Sequence, residues 1–286
     1  MPEPSFTQRK RFLTGLLGAP IAHSASPAMH ERAAEALGLD CHYHLMEIAG
    51  ADIARLRTIL DAIRMLGFAG TNVTFPYKEK VAPLLDELSP GAAAIGAVNT
   101  VAVRGDRLVG FNTDSSGFAR AARPLVESAP GPVAVIGAGG VGRAIAVALA
   151  GLGVPGVRLF DLDEAKATSL AASLSGTQAT VCRTIEAALD GVAGLVNGTP
   201  VGMINRESPV PEQLLHGGLW VADAVYSPLW TPLLLAAKAK GAHVMTGREL
   251  AINQAADAFE IFTGVRPSVV TMGQAFDEVI ARRVNA

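Results

Sequence analysis

The chain alternates short apolar runs with longer segments in which apolar residues recur every three or four positions. This pattern predicts repeated strand–helix units and therefore an α/β fold. In the first part of the chain, the apolar run at 12–17, the alternating segment 41–47 and the segment 70–74, which leads to Pro76, predict strands. The segments 26–37 and 51–66 have the helical period, and Ser26-Pro27 is typical of an N-cap followed by proline in the first turn.

A predicted hairpin around Arg104-Gly105-Asp106 leads to a second series of strands and helices. Its predicted elements are strand 132–136, helix 140–152, strand 157–160, helix 163–174, strands 193–196, 219–224 and 242–246, and helices 248–263 and 268–283. The run at 132–136 is almost wholly apolar, as in parallel strands that are covered on both faces. We expect two domains with a boundary in 112–130, the second of them a doubly wound parallel sheet of the Rossmann type.

Composition fits a globular enzyme. Half of the 286 residues are hydrophobic and 17% are charged, which excludes a disordered chain. The net charge of -2 argues against a nucleic-acid partner bound through net positive charge. Cys41 and Cys182 cannot form a disulfide framework, and no run reaches the ~18 apolar residues of a membrane span. We expect a cytoplasmic protein without nucleic-acid or membrane partners.

The N-terminal segment resembles the start of an export signal, because basic residues 9–11 precede an apolar run. Gly15, Gly18 and Pro20 interrupt that run, so we interpret it as a short buried strand that ends in a loop. Residues 1–11 are expected to be a flexible lead.

A glycine-rich turn lies between strand 132–136 and helix 140–152. It has the G-x-G-x-x-G pattern and reads Gly137-Ala138-Gly139-Gly140-Val141-Gly142. The first glycine permits the tight turn, the second lets the backbone approach a pyrophosphate, and the third lets helix and strand pack closely. The helix N-terminus adds free N–H groups and partial positive charge. These six residues predict a dinucleotide site.

The end of the next strand indicates which dinucleotide binds. Asp161 lies nineteen residues beyond Gly142, close to the spacing of about 20 at which a carboxylate binds the ribose 2′-OH. The segment 161–164 holds three acids and no arginine, so it would repel a 2′-phosphate. NAD is therefore favoured over NADP, and Asp163 is expected to cap the following helix.

Two other chemistries are disfavoured. No tyrosine is followed four positions later by a lysine, which argues against a short-chain dehydrogenase and against methylene-tetrahydrofolate dehydrogenase, which uses a similar pair. His30, Cys41, His42 and His44 are possible metal ligands, but no carboxylate is placed with them, so no metal is predicted.

Seven blocks between residue 15 and about residue 264 carry a family resemblance. They read Gly15-Leu-Leu-Gly-Ala-Pro-Ile-Ala-His-Ser-Ala-Ser-Pro-Ala-Met-His30, Gly70-Thr-Asn-Val-Thr-Phe-Pro-Tyr-Lys78, Gly96-Ala-Val-Asn-Thr100, Gly110-Phe-Asn-Thr-Asp114, Asn197-Gly-Thr-Pro-Val-Gly-Met203, Asp223-Ala-Val-Tyr226 and Gly247-Arg-Glu-Leu-Ala-Ile-Asn-Gln254. In order and spacing they resemble the shikimate/quinate dehydrogenases. The resemblance implies a substrate-binding catalytic domain of residues 1–118 plus 250–286, to which the C-terminal helices return. It also implies a Rossmann domain of residues 119–249, with the active site in the cleft between the domains.

The resemblance also implies roles for individual residues. Lys78 would transfer the proton of the hydroxyl being oxidised, and Asp114 would hold that hydroxyl and the lysine in register. Ser24 and Ser26 would bind the substrate carboxylate, with Tyr226 near it. The ring hydroxyls would be bound by Asn72, Thr74, Asn99 and Gln254. The nicotinamide half of the cofactor would contact Thr199, Ala224 and Gly247.

One departure bears on the cofactor. NADP-linked members of this family typically carry Asn-Arg-Thr or Asn-Arg-Ser where this chain has residues 161–163, which look like NAD-linked members that act on quinate as well as shikimate. We therefore predict NAD-dependent oxidation of a small cyclic polyol acid. The alternatives are an NADP-dependent biosynthetic shikimate dehydrogenase and a non-catalytic dinucleotide-sensing protein. The substrate preference, the direction in the cell and the choice between monomer and homodimer stay open.

Overall fold

The computed structural model describes residues 10–284 and contains two six-stranded sheets. Most of the predicted N-terminal lead, residues 1–9, lies outside the described residues. The strands are β1 (Arg11–Gly18), β2 (Asp40–Glu47), β3 (Gly70–Val73), β4 (Glu87–Leu88), β5 (Thr100–Arg104), β6 (Arg107–Phe111), β7 (Val133–Ile136), β8 (Gly156–Phe160), β9 (Gln178–Val181), β10 (Gly194–Asn197), β11 (Trp220–Asp223) and β12 (His243–Met245). The helices are α1 (Ser26–Ala36), α2 (Ile53–Met65), α3 (Lys78–Val81), α4 (Pro90–Ile95), α5 (Thr113–Ser128), α6 (Gly140–Gly151), α7 (Glu164–Ser173), α8 (Ile185–Leu189), α9 (Pro232–Ala239), α10 (Gly247–Thr263) and α11 (Val269–Val284).

The first sheet is mixed, in the order β2-β1-β3-β5-β6-β4. Strand β1 pairs in parallel with β2 and β3, whereas β5 pairs antiparallel with both β3 and β6. The predicted hairpin is confirmed, with Gly105 at a positive φ of 63° in the turn between β5 and β6. The carboxyl ends of β1 and β3 lie side by side, so the loops that follow them are neighbours.

The second sheet is parallel throughout, in the order β12-β11-β10-β7-β8-β9. This is the strand order of a doubly wound dinucleotide-binding domain, with its switch point between β7 and β10. At that point Ile136 pairs with Asn197. Strand β7 is buried at every residue: Val135 packs in one apolar cluster and Ala134 in the other, as a strand covered on both faces requires.

The chain divides into two compact units. The first contains the described residues up to Glu87, then Val98–Phe111 and the chain from Ala255 onward. The second contains Leu88–Ala97 and Asn112–Gln254. The chain passes into the second unit at the start of the segment 112–130, which is largely occupied by helix α5.

The C-terminal helix α11 packs against α1 inside the first unit. An ion pair joins the two helices, with 2.9 Å between Arg32 Nη2 and Glu278 Oε2. The predicted fold class is confirmed: a mixed α/β sheet, a parallel Rossmann sheet and C-terminal helices that return to the first unit. Among the helices of residues 10–284, none has the length and apolar character needed to cross a membrane.

Helix α1 begins differently from the prediction. Ser26 is its first residue and Ala25 occupies the cap position. The Ser26 N–H donates to the Ser24 hydroxyl at 3.2 Å, so the serine that accepts a hydrogen bond from the start of the helix is Ser24. The prediction that Ser26 is the N-cap is wrong, whereas proline does lie in the first turn.

Candidate active site

Ser24 and Ser26 form a hydroxyl pair in the loop after β1. The Ser24 hydroxyl donates to the Ser26 hydroxyl at 3.0 Å, and both side chains are half-buried. A tight turn supports the pair, because the Ser24 N–H donates to the Ile21 carbonyl at 2.8 Å. The Ser26 hydroxyl keeps its hydrogen for another acceptor. Two adjacent hydroxyls held in this way are suited to a carboxylate.

Asn72 and Asn99 lie next to each other at the ends of neighbouring strands. The Asn72 side-chain nitrogen donates to the Asn99 carbonyl at 3.2 Å and to the Thr100 hydroxyl at 2.9 Å. The Asn72 side-chain oxygen accepts from the Tyr43 hydroxyl at 2.8 Å. All four residues are buried. Sequence reasoning gave Tyr43 no role, because a buried position in a strand does not reveal what its hydroxyl contacts.

Lys78 is the first residue of α3 and is half-buried. Its carbonyl accepts from the Val98 N–H at 2.8 Å, and the loop before it is fixed by a bond from the Thr74 N–H to the Leu17 carbonyl at 2.9 Å. Tyr77 is wholly buried, and its hydroxyl donates to the Ile48 carbonyl at 2.6 Å. The first unit therefore holds Lys78 on a short, well-anchored loop. It also contains Ser24, Ser26, Asn72, Thr74 and Asn99.

Asp114 and Gln254 lie on two helices that touch within the second unit. The Asn112 side chain caps α5 by accepting from the Asp114 N–H at 3.2 Å, and Asp114 itself is buried. The Thr113 hydroxyl donates to the Gln254 side-chain oxygen at 3.4 Å. A Cβ added at Gly117 would lie 2.7 Å from the Gln254 backbone nitrogen, so glycine is required for this close approach.

The glycines in the turn after β7 are needed for two different reasons. Gly137 has a positive φ of 96°, and a Cβ added at Gly142 would lie 1.9 Å from the Gly137 carbonyl oxygen. Both positions need glycine for the turn itself. Gly139 has an ordinary φ of -76°, and an added Cβ there would meet no atom of residues 10–284 within 4 Å. Packing among the described residues does not explain Gly139, and open space at this position is what the predicted pyrophosphate contact requires.

Asp161 is fixed against this turn. One carboxylate oxygen accepts from the Ala138 N–H at 2.7 Å, and the other accepts from the Asp163 N–H at 2.8 Å. Asp163 accepts from the Ala165 N–H at 3.2 Å, which confirms that it caps α7. The turn therefore carries a negative charge whose position is set by two backbone hydrogen bonds.

The loops after β10 and β11 are joined by a buried polar network that sequence reasoning missed. The Asn197 side chain accepts from the Thr199 N–H at 3.0 Å and from its hydroxyl at 2.7 Å, and donates to Asp223 at 2.9 Å. Asp223 also accepts from the Val225 N–H and the Thr231 hydroxyl. Burial raises the pKa of Asp223 to about 6, while its hydrogen bonds from Thr231, Val225 and Asn197 act in the opposite direction. Thr199 is thereby held rigidly.

The other predicted cofactor contacts lie close to this network. A Cβ at Gly247 would lie 2.9 Å from the Ala224 carbonyl oxygen, so these two residues are in contact. A Cβ at Gly137 would lie 2.7 Å from the Thr199 methyl group, which places Thr199 beside the glycine turn. Tyr226 follows β11 and is exposed. The second unit thus gathers the predicted cofactor residues around the carboxyl ends of β7, β10 and β11.

The candidate metal ligands do not form a site. His42 and His44 lie on the edge strand β2 with ring centroids 6.2 Å apart, and His42 pairs with Glu31 at 3.7 Å. His30 is buried, with its ring centroid 4.6 Å from that of Tyr43. Within residues 10–284, no group of three or more His, Cys, Asp or Glu side chains is arranged to hold a metal ion.

Known proteins match this chain over most of its length. Residues 16–101 match the family model described as "Shikimate dehydrogenase substrate binding domain". A shikimate dehydrogenase (NADP(+)) of Streptomyces avermitilis is 42% identical over 271 residues, which cover 91% of this chain and 93% of the relative. A quinate/shikimate dehydrogenase (NAD(+)) of Corynebacterium efficiens is 42% identical over 276 residues, which cover 92% and 97%. The structure of quinate dehydrogenase from Corynebacterium glutamicum in complex with NAD is similar with a TM-score of 0.86 and 38% identity, covering 94% of this chain and all of that one.

Proposed function

Because this chain belongs to the shikimate/quinate dehydrogenase family, we propose that it is an NAD-dependent enzyme that interconverts shikimate and 3-dehydroshikimate, and also quinate and 3-dehydroquinate. The observation that carries the choice of NAD is the Asp161 carboxylate, which is held by the Ala138 N–H at 2.7 Å in the glycine turn. Relatives at equal identity use NAD in one case and NADP in the other, so the cofactor has to be argued from residues of this chain.

Asp161 favours NAD for an electrostatic reason. A carboxylate accepts hydrogen bonds from a free ribose 2′-OH, whereas a 2′-phosphate would bring a second negative charge into contact with it. Its two backbone hydrogen bonds keep Asp161 from turning away. The segment 161–164 has no arginine to neutralise a 2′-phosphate, and Lys166 is paired with Asp163 at 3.8 Å.

The second unit would hold the cofactor. Gly139 leaves room for the pyrophosphate, and the first N–H groups of α6 would donate to it. Thr199, Ala224 and Gly247 would contact the nicotinamide half. When bound, the cofactor accepts or returns the hydride.

The chain's own residues would manage the proton and the substrate. Lys78 accepts the hydroxyl proton during oxidation and returns it during reduction, and Asp114 hydrogen-bonds the same hydroxyl and orients the lysine. Ser24 and Ser26 bind the substrate carboxylate, for which the Ser24 hydroxyl turns its hydrogen from Ser26 to the carboxylate, and Tyr226 lies near it. The ring hydroxyls are bound by Asn72, Thr74, Asn99 and Gln254. Neutral polar groups suit a polyol, because an analogue that lacks a hydroxyl leaves a buried partner unpaired.

The test is a set of initial rates for the purified protein with shikimate and quinate, each with NAD⁺ and with NADP⁺. We expect NAD⁺-dependent rates with both acids. Rates with NADP⁺ and shikimate alone would overturn the cofactor assignment and favour the biosynthetic alternative. No rate in any of the four assays, together with calorimetric NAD⁺ binding, would favour a dinucleotide sensor instead.

A further inference from the structure

The Tyr43 hydroxyl begins a directed chain of buried hydrogen bonds in the first unit. It donates to Asn72 Oδ1 at 2.8 Å, Asn72 Nδ2 donates to Thr100 Oγ1 at 2.9 Å, and Thr100 Oγ1 donates to Asn99 Oδ1 at 3.0 Å. The residues come from β2, β3 and β5 and the loop before β5, so the hydrogen bonds run from the edge strand β2 past β1 to the middle of the sheet. Each of the four residues is at most 6% exposed.

This chain fixes which end of the Asn72 amide meets a ligand. Both N–H bonds of the amide are used, one on the Asn99 carbonyl at 3.2 Å and one on the Thr100 hydroxyl. The amide oxygen has two lone pairs, and Tyr43 uses one of them. Asn72 can therefore offer a ligand only the second lone pair of its oxygen. It is an acceptor for a hydroxyl and has no donor to give.

We propose that Tyr43 is a positioning residue that sets the specificity of Asn72 for a substrate hydroxyl. The inference rests on the proposed function, in which Asn72 contacts a ring hydroxyl. If the amide rotated by 180°, its N–H groups would face the Tyr43 hydroxyl and its oxygen would face the Asn99 carbonyl. The Asn99 carbonyl, which can only accept, excludes that rotation, and the Tyr43 hydroxyl fixes the position of the amide oxygen that accepts from the substrate.

The effect of the Tyr43 hydroxyl can be tested separately from the packing of its ring. Its ring lies 4.6 Å from that of His30 and packs with Leu16 and Ile21. Phenylalanine at this position keeps the ring and removes only the hydroxyl. The buried Asn72 oxygen then loses the donor that fixes its position, so the remaining contacts hold it less firmly for the substrate hydroxyl.

The test compares Tyr43→Phe with Thr14→Val, which removes another buried hydroxyl from the adjoining position of β1. The Thr14 hydroxyl lies against the Cys41 sulfur rather than against Asn72. For Tyr43→Phe we expect about a tenfold higher KM for the cyclic acid. The kcat and the KM for NAD⁺ should stay within about twofold, and Thr14→Val should keep all three constants.

A double-mutant cycle separates positioning from a structural effect. In an Asn72→Ala background, Tyr43→Phe should raise KM no further, because no amide is left to orient. An unchanged KM in Tyr43→Phe, or an equal rise with and without Asn72, would overturn the inference. If Tyr43→Phe fails to fold, Thr100→Val releases the other end of the same amide and should raise KM likewise. A wild-type protein without any rate would refute the proposed function, which is a different result from an active wild type that Tyr43→Phe leaves unchanged.

Discussion

The Asp161 carboxylate accepts a hydrogen bond from the Ala138 backbone N–H at 2.7 Å, which joins the end of β8 to the turn that follows β7. Strands β7 and β8 are neighbours in the sheet, so this bond spans the base of the predicted cofactor site. A second bond, from the Asp163 N–H at 2.8 Å, occupies the other carboxylate oxygen. Asp161 is thus bonded to the glycine turn and places a negative charge beside it.

We expect Asp161→Asn to weaken the preference for NAD⁺. The amide keeps an oxygen for the Ala138 N–H, but it removes the charge that would repel a 2′-phosphate. The ratio of kcat/KM with NAD⁺ to kcat/KM with NADP⁺ should fall by about tenfold to a hundredfold, as expected for the loss of one close charge repulsion. Initial rates at varied cofactor concentration and saturating shikimate measure this ratio.

Asp163→Asn is the matched control for this variant. It removes the same charge from the same loop, and asparagine still caps α7. Its cofactor ratio should change by less than about threefold, because the exposed Asp163 side chain bonds to the start of α7 and not to the glycine turn, and its backbone N–H still donates to Asp161. Equal effects of the two variants would mean that general loop charge, rather than the position of Asp161, selects the cofactor.

Two glycines of the same turn should respond to alanine in opposite ways. Gly142→Ala places a Cβ 1.9 Å from the Gly137 carbonyl oxygen, so we expect a loss of stability of a few kcal/mol. Gly139→Ala places its Cβ in open space, so the unfolding midpoint should change little. NAD⁺ affinity should nevertheless fall by at least about tenfold, because the methyl group occupies the place of the pyrophosphate. Denaturant unfolding and calorimetric titration separate the two effects, and tight NAD⁺ binding by Gly139→Ala would contradict this placement.

The parts of the fold that follow from sequence are those with strong local periodicity. The strand at 132–136, the glycine turn and the helix at 140–152 each carry a clear pattern, and the structure has β7 and α6 there. Helix α5 was not predicted. It contains Gly117, which allows close contact with the Gln254 backbone, and Pro124, and both residues are poor helix formers. The contact with Gln254 therefore explains why Gly117 is present in α5, although glycine weakens the helical pattern in the sequence.

The site residues also divide into those that a local sequence pattern predicts and those that it does not. The glycine pattern and the spacing to Asp161 are local signals, and they predicted the cofactor turn. The contacts of Tyr43 with Asn72 and of Asn197 with Asp223 join residues 29 and 26 positions apart. Such pairs depend on which strands lie near each other in the sheet, which the alternation of hydrophobic residues within one strand does not specify. Their polar roles became visible only with the fold.

Lys78→Ala should reduce turnover far more than cofactor binding. Removal of a general acid–base group lowers kcat by about 10²–10⁴. The lysine belongs to the first unit, whereas the predicted cofactor turn belongs to the second, so the Kd for NAD⁺ should stay within about twofold. Lys80→Ala is the control, since Lys80 lies on the same short helix, is exposed and extends over the Tyr77 ring. Wild-type turnover by Lys78→Ala would show that another residue carries the proton.

Asp223 should make the folded protein less stable as pH rises from about 4 to 6. Burial raises its pKa from 3.8 to about 6, so in this range the folded chain keeps a proton that the unfolded chain releases. The free energy of unfolding then falls by about 3 kcal/mol across the range and levels off above it. Asp223→Asn should remove this contribution, because the amide stays neutral and still offers an oxygen to Asn197 and Val225. Denaturant unfolding at several pH values measures it, with exposed Asp190→Asn as the control.

His30 should have the opposite dependence. Burial lowers its pKa from 6.5 to about 3, so below about pH 6.5 the unfolded chain binds a proton that the folded chain does not. The free energy of unfolding therefore decreases as pH falls, by up to about 1.4 kcal/mol per pH unit. His30 lies among the rings of Tyr43, Phe259 and Phe262, and within the described residues 10–284 its Nδ1 atom has no hydrogen-bond partner.

Phenylalanine fits that aromatic environment, so His30→Phe should remove the decrease in the free energy of unfolding at acidic pH. As pH falls from 6.5 to 4.5, the free energy of unfolding of His30→Phe relative to that of wild type should rise steadily, by about 1–3 kcal/mol in total. Denaturant midpoints at half-unit pH intervals would resolve this change. His44→Phe, at an exposed position of β2, should show no such rise. A constant difference between His30→Phe and wild type across this range would mean that the folded protein accommodates a protonated His30, so the buried ring would have to be open to water.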